Sequence, residues 1–113
     1  LLVKWLQTIA EDKTMYIVVF GIDKPGMADV RNEHLQAFRD YLEHHPDHPA
    51  VALHHSGPLL SDEGERMIGT HVVIEAPSLE AARAFVADSP FGRADLWAEL
   101  HVRPWNWLAG KPG

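Results

Sequence analysis

Four stretches rich in β-branched and aromatic residues alternate with two stretches of helical periodicity, and their order limits what this chain can fold into. MYIVVFGI, residues 15–22, reads as a strand. A loop with Pro25-Gly26 as its turn signal follows. Apolar residues at helical spacing then predict a helix over residues 30–43. HHPDHP ends it, because two prolines cannot continue a helix. AVALHHSG is a second, weaker strand that stops at Gly57-Pro58. SDEGERMIG is a polar, hairpin-like connection, and THVVIEA is a third strand. SLEAARAFVAD is a second helix, with Ser78 as its N-cap and Pro90 as its stop. LWAELHVRPW is the fourth strand.

The order β-α-β-β-α-β is the ferredoxin-like α+β pattern, an antiparallel sheet with both helices on one face. Strict alternation along the fourth strand sends Ala98, Leu100 and Val102 to the helix side. It sends Trp97, Glu99, His101, Arg103 and Trp105 to the other side. Aromatic rings mixed with charge suit an interface better than a free surface. The open sheet face is therefore expected to bury itself against a second copy, as a homodimer.

Several function classes are excluded. The chain has 113 residues, enough for one compact domain. Its net charge of -6, with arginine and lysine scattered, argues against a nucleic-acid partner. There is no cysteine, hence no disulfide and no thiolate chemistry, which suits a reducing, cytoplasmic setting. The longest apolar runs fall far short of the ~20 residues a membrane-spanning helix needs. The domain is expected over residues 15–107, followed by a tail over 108–113. Residues 1–14 are expected to form an extension, helical because Leu2, Trp5, Leu6 and Ile9 share one face, and not a signal peptide.

The chemistry concentrates at the start of the first helix. At roughly 100° per residue, Arg31 and His34 fall on the same side as Leu35, Phe38, Tyr41 and Leu42. An inward arginine beside the unpaired N–H groups of a helix start would suit a carboxylate or an enolate oxygen. His34 would then move the proton. The plainer reading has Arg31 lying along the helix end and His34 filling a core gap. His44, His45, Asp47 and His48 in HHPDHP read as a solvated turn rather than a metal site, and no metal is expected. His54 and His55, adjacent on a strand, should point to opposite faces.

These motifs, in order, resemble the YCII-related (YciI-like) family over about residues 15–105. The resemblance rests on MYIVVFGIDKPG, RNEHLQAF, HSGPLL, GTHVVIEAPSLEAARAFVADSPF and LHVRPW. It implies a dimeric α/β-barrel of two ferredoxin-like subunits and an active site with a histidine–aspartate pair. Carried over, these are His34 and Asp88. The motifs would place Arg31, Gly57, Pro58, Phe91, Trp97 and Arg103 around a substrate. The family's aspartate is commonly written DPF or DPY, whereas here Ser89 separates Asp88 from Pro90. Asp95 and Glu99 are alternative carboxylates. The activity implied is proton transfer without a cofactor on a small acidic or phenolic molecule, by an isomerase or a lyase of the dehydrochlorinase type. The alternative is a non-catalytic small-molecule-binding or accessory dimer.

Overall fold

A computed structural model describes residues 13–112. The predicted helix within residues 1–14 lies almost wholly outside them. The elements run β1 (Met15–Asp23), α1 (Ala28–Glu43), β2 (Ala52–Leu60), β3 (Met67–Ala76), α2 (Leu79–Asp88), α3 (Pro90–Arg93) and β4 (Trp97–Pro104). The strands form one antiparallel sheet in the order β2-β3-β1-β4. This is the ferredoxin-like architecture, with one short helix added. Among the described residues, no helix is long and apolar enough to cross a membrane.

The element ends follow local chemistry. Gly26 turns the chain into α1 at a φ of 75°, a conformation costly for any residue with a Cβ. His45 closes α1, its ring nitrogens lying 2.9 Å and 2.8 Å from the carbonyl oxygens of Tyr41 and Val51. The Ser78 hydroxyl accepts from the Ala81 amide at 3.0 Å and caps α2 as expected. The unpredicted α3 has four residues, too few to show a period. It forms because Ser89 caps it, accepting from the Gly92 amide at 3.1 Å, and Pro90 takes its first turn. The buried Ser89 hydroxyl also donates to the Val86 carbonyl at 2.6 Å, so one side chain ends α2 and starts α3. Ser89→Ala should cost about 1 kcal/mol in urea unfolding, the usual cost of a lost cap, since the Val86 carbonyl keeps the amide of residue 89.

The helices cover one sheet face. Ile17, Val19, Val72, Ile74 and Val102 from the strands meet Phe38, Leu42, Phe85 and Phe91 from the helices. The Tyr41 hydroxyl donates to the Phe85 carbonyl at 2.6 Å and ties α1 to α2. Burial, then the nearby Asp88 carboxylate, push its pKa up to about 12.

Two bulges overturn two predictions about facing. Ile22 pairs with Glu99, but Asp23 pairs with Trp97, so β4 carries one extra residue there. The alternation resets, and Trp97 turns to the helix side, where its ring stands edge-on to Phe38 and Phe91. It packs over Gly21, where a Cβ would fall 2.7 Å from the indole. In β2, Leu53 pairs with Ile74 and His55 with Val73, leaving His54 as the extra residue. His54 and His55 therefore share the open face, against the sequence expectation. His54 lies 3.0 Å from the Glu75 carboxylate, and the His55 ring is 5.9 Å from that of His71. Desolvation, then His55, lower the pKa of His71. The chain after β4 folds back here, setting the Trp107 ring against Tyr16, His54 and His55. Phe20 remains 37% exposed on the same face.

Candidate functional site

α1 does not touch β2 and β3 along its whole length, and a cavity of about 350 Å³ opens between them. One stripe of α1 lines it: Arg31, Leu35, Phe38, Arg39 and Leu42, at the i, i+4, i+7, i+8, i+11 spacing of a helix face. Ser56, Gly57 and Pro58 of β2 and Met67 and Thr70 of β3 form the opposite wall. Phe91 of α3 closes one end. Apolar walls with a few convergent polar groups are the usual make-up of a small-molecule site, and the volume lies at the lower end of the ~300–1,000 Å³ such sites span.

Arg31 forms the floor of this site. It is 2% exposed. Its Nε and Nη2 donate to the two carboxylate oxygens of Asp23 at 2.6 Å and 2.8 Å, the paired geometry that suits a guanidinium best. Nη2 also donates to Thr70 Oγ1 at 2.7 Å. The guanidinium carbon lies 4.7 Å above the centre of the Phe91 ring, within reach of a cation–π attraction. The inward arginine of α1 is therefore matched by a carboxylate at the end of β1 and a hydroxyl on β3. Because α1 begins at Ala28, Arg31 lies a turn inside it, with its amide bonded to the Met27 carbonyl at 2.9 Å.

Of the residues singled out in the sequence, the cavity gathers Arg31, Gly57, Pro58 and Phe91. Trp97 lies behind Phe38 and Phe91, half-buried against the core. Arg103 is exposed on β4, paired with Val18 on the far side of the sheet from β2. His34 is half-buried and forms no hydrogen bond or ion pair with a described residue. At about 100° per residue it sits on the flank of α1 shared with Tyr41, at the edge of the cavity stripe and outside the lining. Asp88, at the end of α2, is 49% exposed. Its carboxylate lies 2.8 Å from His48 Nε2 and 3.6 Å from Arg93. No bond joins Asp88 to His34. Of the alternative carboxylates, Asp95 is held by Lys24, and Glu99 lies 4.0 Å from His101. The residue directly before Pro90, where the DPF pattern would carry its aspartate, is the buried cap Ser89. The histidine beside Asp88 belongs instead to the HHPDHP turn.

Asp23, Thr70, Arg39, Ser56 and Met67 were not anticipated. Asp23 left one signal: an inward arginine calls for a buried acid, and Asp23 ends the strand that precedes it. Thr70 is a lone hydroxyl in an otherwise apolar row of β3, and only the sheet register brings it under Arg31. Among the described residues, no group of three or more histidine or acidic side chains is placed to hold a metal ion.

A family model for the YCII-related domain matches residues 15–106. Comparison with curated proteins gives no match. Among solved structures, the chain is similar to 5-chloro-2-hydroxyhydroquinone dehydrochlorinase from Burkholderia phenoliruptrix AC1100, solved in complex with 2,5-dihydroxybenzoquinone. That likeness has a TM-score of 0.68 and 29% identity, and covers 81% of this chain and 94% of that one. A second similar structure comes from Bacteroides thetaiotaomicron VPI-5482 and is described as an antibiotic biosynthesis monooxygenase, with a TM-score of 0.54. It is 16% identical, covering 91% of this chain and 98% of that one, and speaks to the fold alone. With the family model matching nearly the whole described domain, the chain belongs to the YCII-related family.

Proposed function

We propose that this protein binds a small acidic or phenolic molecule in the cavity between α1, β2 and β3 and moves a proton on it, as an isomerase or a lyase of the dehydrochlorinase type. The carrying observation is the cavity itself. It is large enough for one substituted ring, walled by Leu35, Phe38, Leu42 and Phe91, and carries Arg39 in its lining. The dehydrochlorinase with 29% identity supports the substrate class, since its structure holds a dihydroxylated quinone. No cofactor is part of this reading. The chain works in the cytoplasm as a homodimer joined through the open sheet face, where Phe20 is exposed.

In the finer form of the proposal, His34 is the proton carrier and Asp88 its orienting carboxylate. The support for His34 is its place one turn from Arg31, with a ring not bonded to any described residue. Asp88 would have to exchange His48 for His34. A second reading, a non-catalytic binding or accessory dimer, draws on one observation: no imidazole or carboxylate lines the cavity among the described residues.

The test combines binding and turnover. The protein is titrated with 2,5-dihydroxybenzoquinone and a panel of phenols and carboxylic acids, and chloride release from 5-chloro-2-hydroxyhydroquinone is followed. The enzymatic reading expects binding, chloride release, and a loss of about 100-fold or more in rate for His34→Ala with binding kept. Binding with no turnover of any panel member favours the accessory reading. No binding at all removes the cavity from consideration. A clean monomer at micromolar concentration in gel filtration would end the dimer proposal.

A further inference from the structure

Resting on the proposal that the cavity takes a small acidic molecule, we infer that Arg39, and not Arg31, is the residue that selects for the ligand's negative charge. Both arginines line the cavity from the same stripe of α1. They differ in what already occupies them. The charge of Arg31 is balanced within the fold, because the Asp23 carboxylate takes two of its N–H donors and Thr70 a third. An anion that claimed Arg31 would leave Asp23 buried without its cation, at a cost that exceeds what the new bond returns.

Arg39 lies eight residues further on, about 12 Å along the helix axis. It is exposed, so it stands at the mouth of the cavity rather than its floor. Its guanidinium forms no ion pair or hydrogen bond with any described residue. No acidic side chain lines the cavity among the described residues. In a chain of net charge -6, a lining that holds Arg39 and no carboxylate is where an anion meets the least repulsion. A ring entering between Leu35, Leu42, Pro58 and Met67 would bring a carboxylate or phenolate to a guanidinium free to grip it with paired donors. Exposure makes the substitution of Arg39 structurally mild, unlike that of Arg31.

The experiment uses a matched pair of probes, benzoate and benzamide, of nearly one shape and different charge. Calorimetric titration compares the parent with Arg39→Gln and Arg39→Lys, each checked for an unchanged thermal transition. The parent should bind benzoate about ten-fold more tightly than benzamide. Arg39→Gln should bind the two alike, with its benzamide affinity within about two-fold of the parent's. Arg39→Lys should keep part of the preference, and added salt should shrink it in the parent. If Arg39→Gln keeps the full preference, the charge is read elsewhere and the inference fails. If the parent binds both probes equally, the inference fails while the cavity reading stands. If the parent binds neither, the cavity reading falls first and takes the inference with it.

Discussion

Arg31→Met should lower the free energy of unfolding by about 3–5 kcal/mol, the usual cost of removing one partner from a buried ion pair. The methionine fills much of the space, so the loss is electrostatic more than steric. Asp23 is left with a side chain only 10% exposed and no cation beside it. Thr70 loses the donor to its hydroxyl, and Phe91 loses the charge above its ring. Urea unfolding measures the loss, and a double-mutant cycle with Asp23→Leu assigns it. The double variant should recover a large part of the single variant's loss, because replacing both charges removes the stranded one. A single variant within about 1 kcal/mol of the parent would mean that the Asp23 carboxylate reaches water, and the picture of a fixed floor to the cavity would be wrong.

Phe91→Ala should cost a similar amount, about 3–5 kcal/mol. The ring is fully buried and stacks on Phe38 with centroids 4.2 Å apart. It stands edge-on to Trp97 at 6.1 Å and lies beneath the Arg31 guanidinium. Few neighbours can move in to fill the gap, because α3 is pinned at Ser89 by two hydrogen bonds. Phe91 also closes one end of the ligand cavity, so the variant should bind the phenolic panel more weakly than its stability loss alone would explain. Phe91→Leu separates the two effects. It should restore part of the stability, since leucine refills much of the space that alanine leaves empty, while the planar wall for an aromatic ligand stays absent. Equal stability of Phe91→Ala and the parent would show that α3 collapses onto α2 and that the cavity end is plastic.

The sheet, both long helices and their order could be read from periodicity and turn signals, because each is a run long enough to repeat. The single turn Pro90–Arg93 could not, and its cap Ser89 read only as an interruption of an expected motif. The facing of Trp97 and of His54 departs from simple alternation for one shared reason: alternation holds only while two strands add residues in step. At the site, the inward placement of Arg31 was legible from helical spacing. Its partners were not, since Asp23 and Thr70 come from different strands and meet only through the register of β1 on β3. The pairing of Asp88 with His48 was equally hidden, because 40 residues separate them.

Local chemistry alone therefore determined that this chain makes four strands and two long helices in the ferredoxin-like order, and that α1 turns an arginine inward. Propensity, period and capping act over a few residues, and a sequence displays them directly. Which carboxylate meets that arginine, which aromatic rings wall the cavity, and which histidine faces Asp88 were decided only by the tertiary structure. Those choices depend on strand register, on two one-residue bulges, and on how closely α1 approaches β2, all of which are set by packing across the whole sheet.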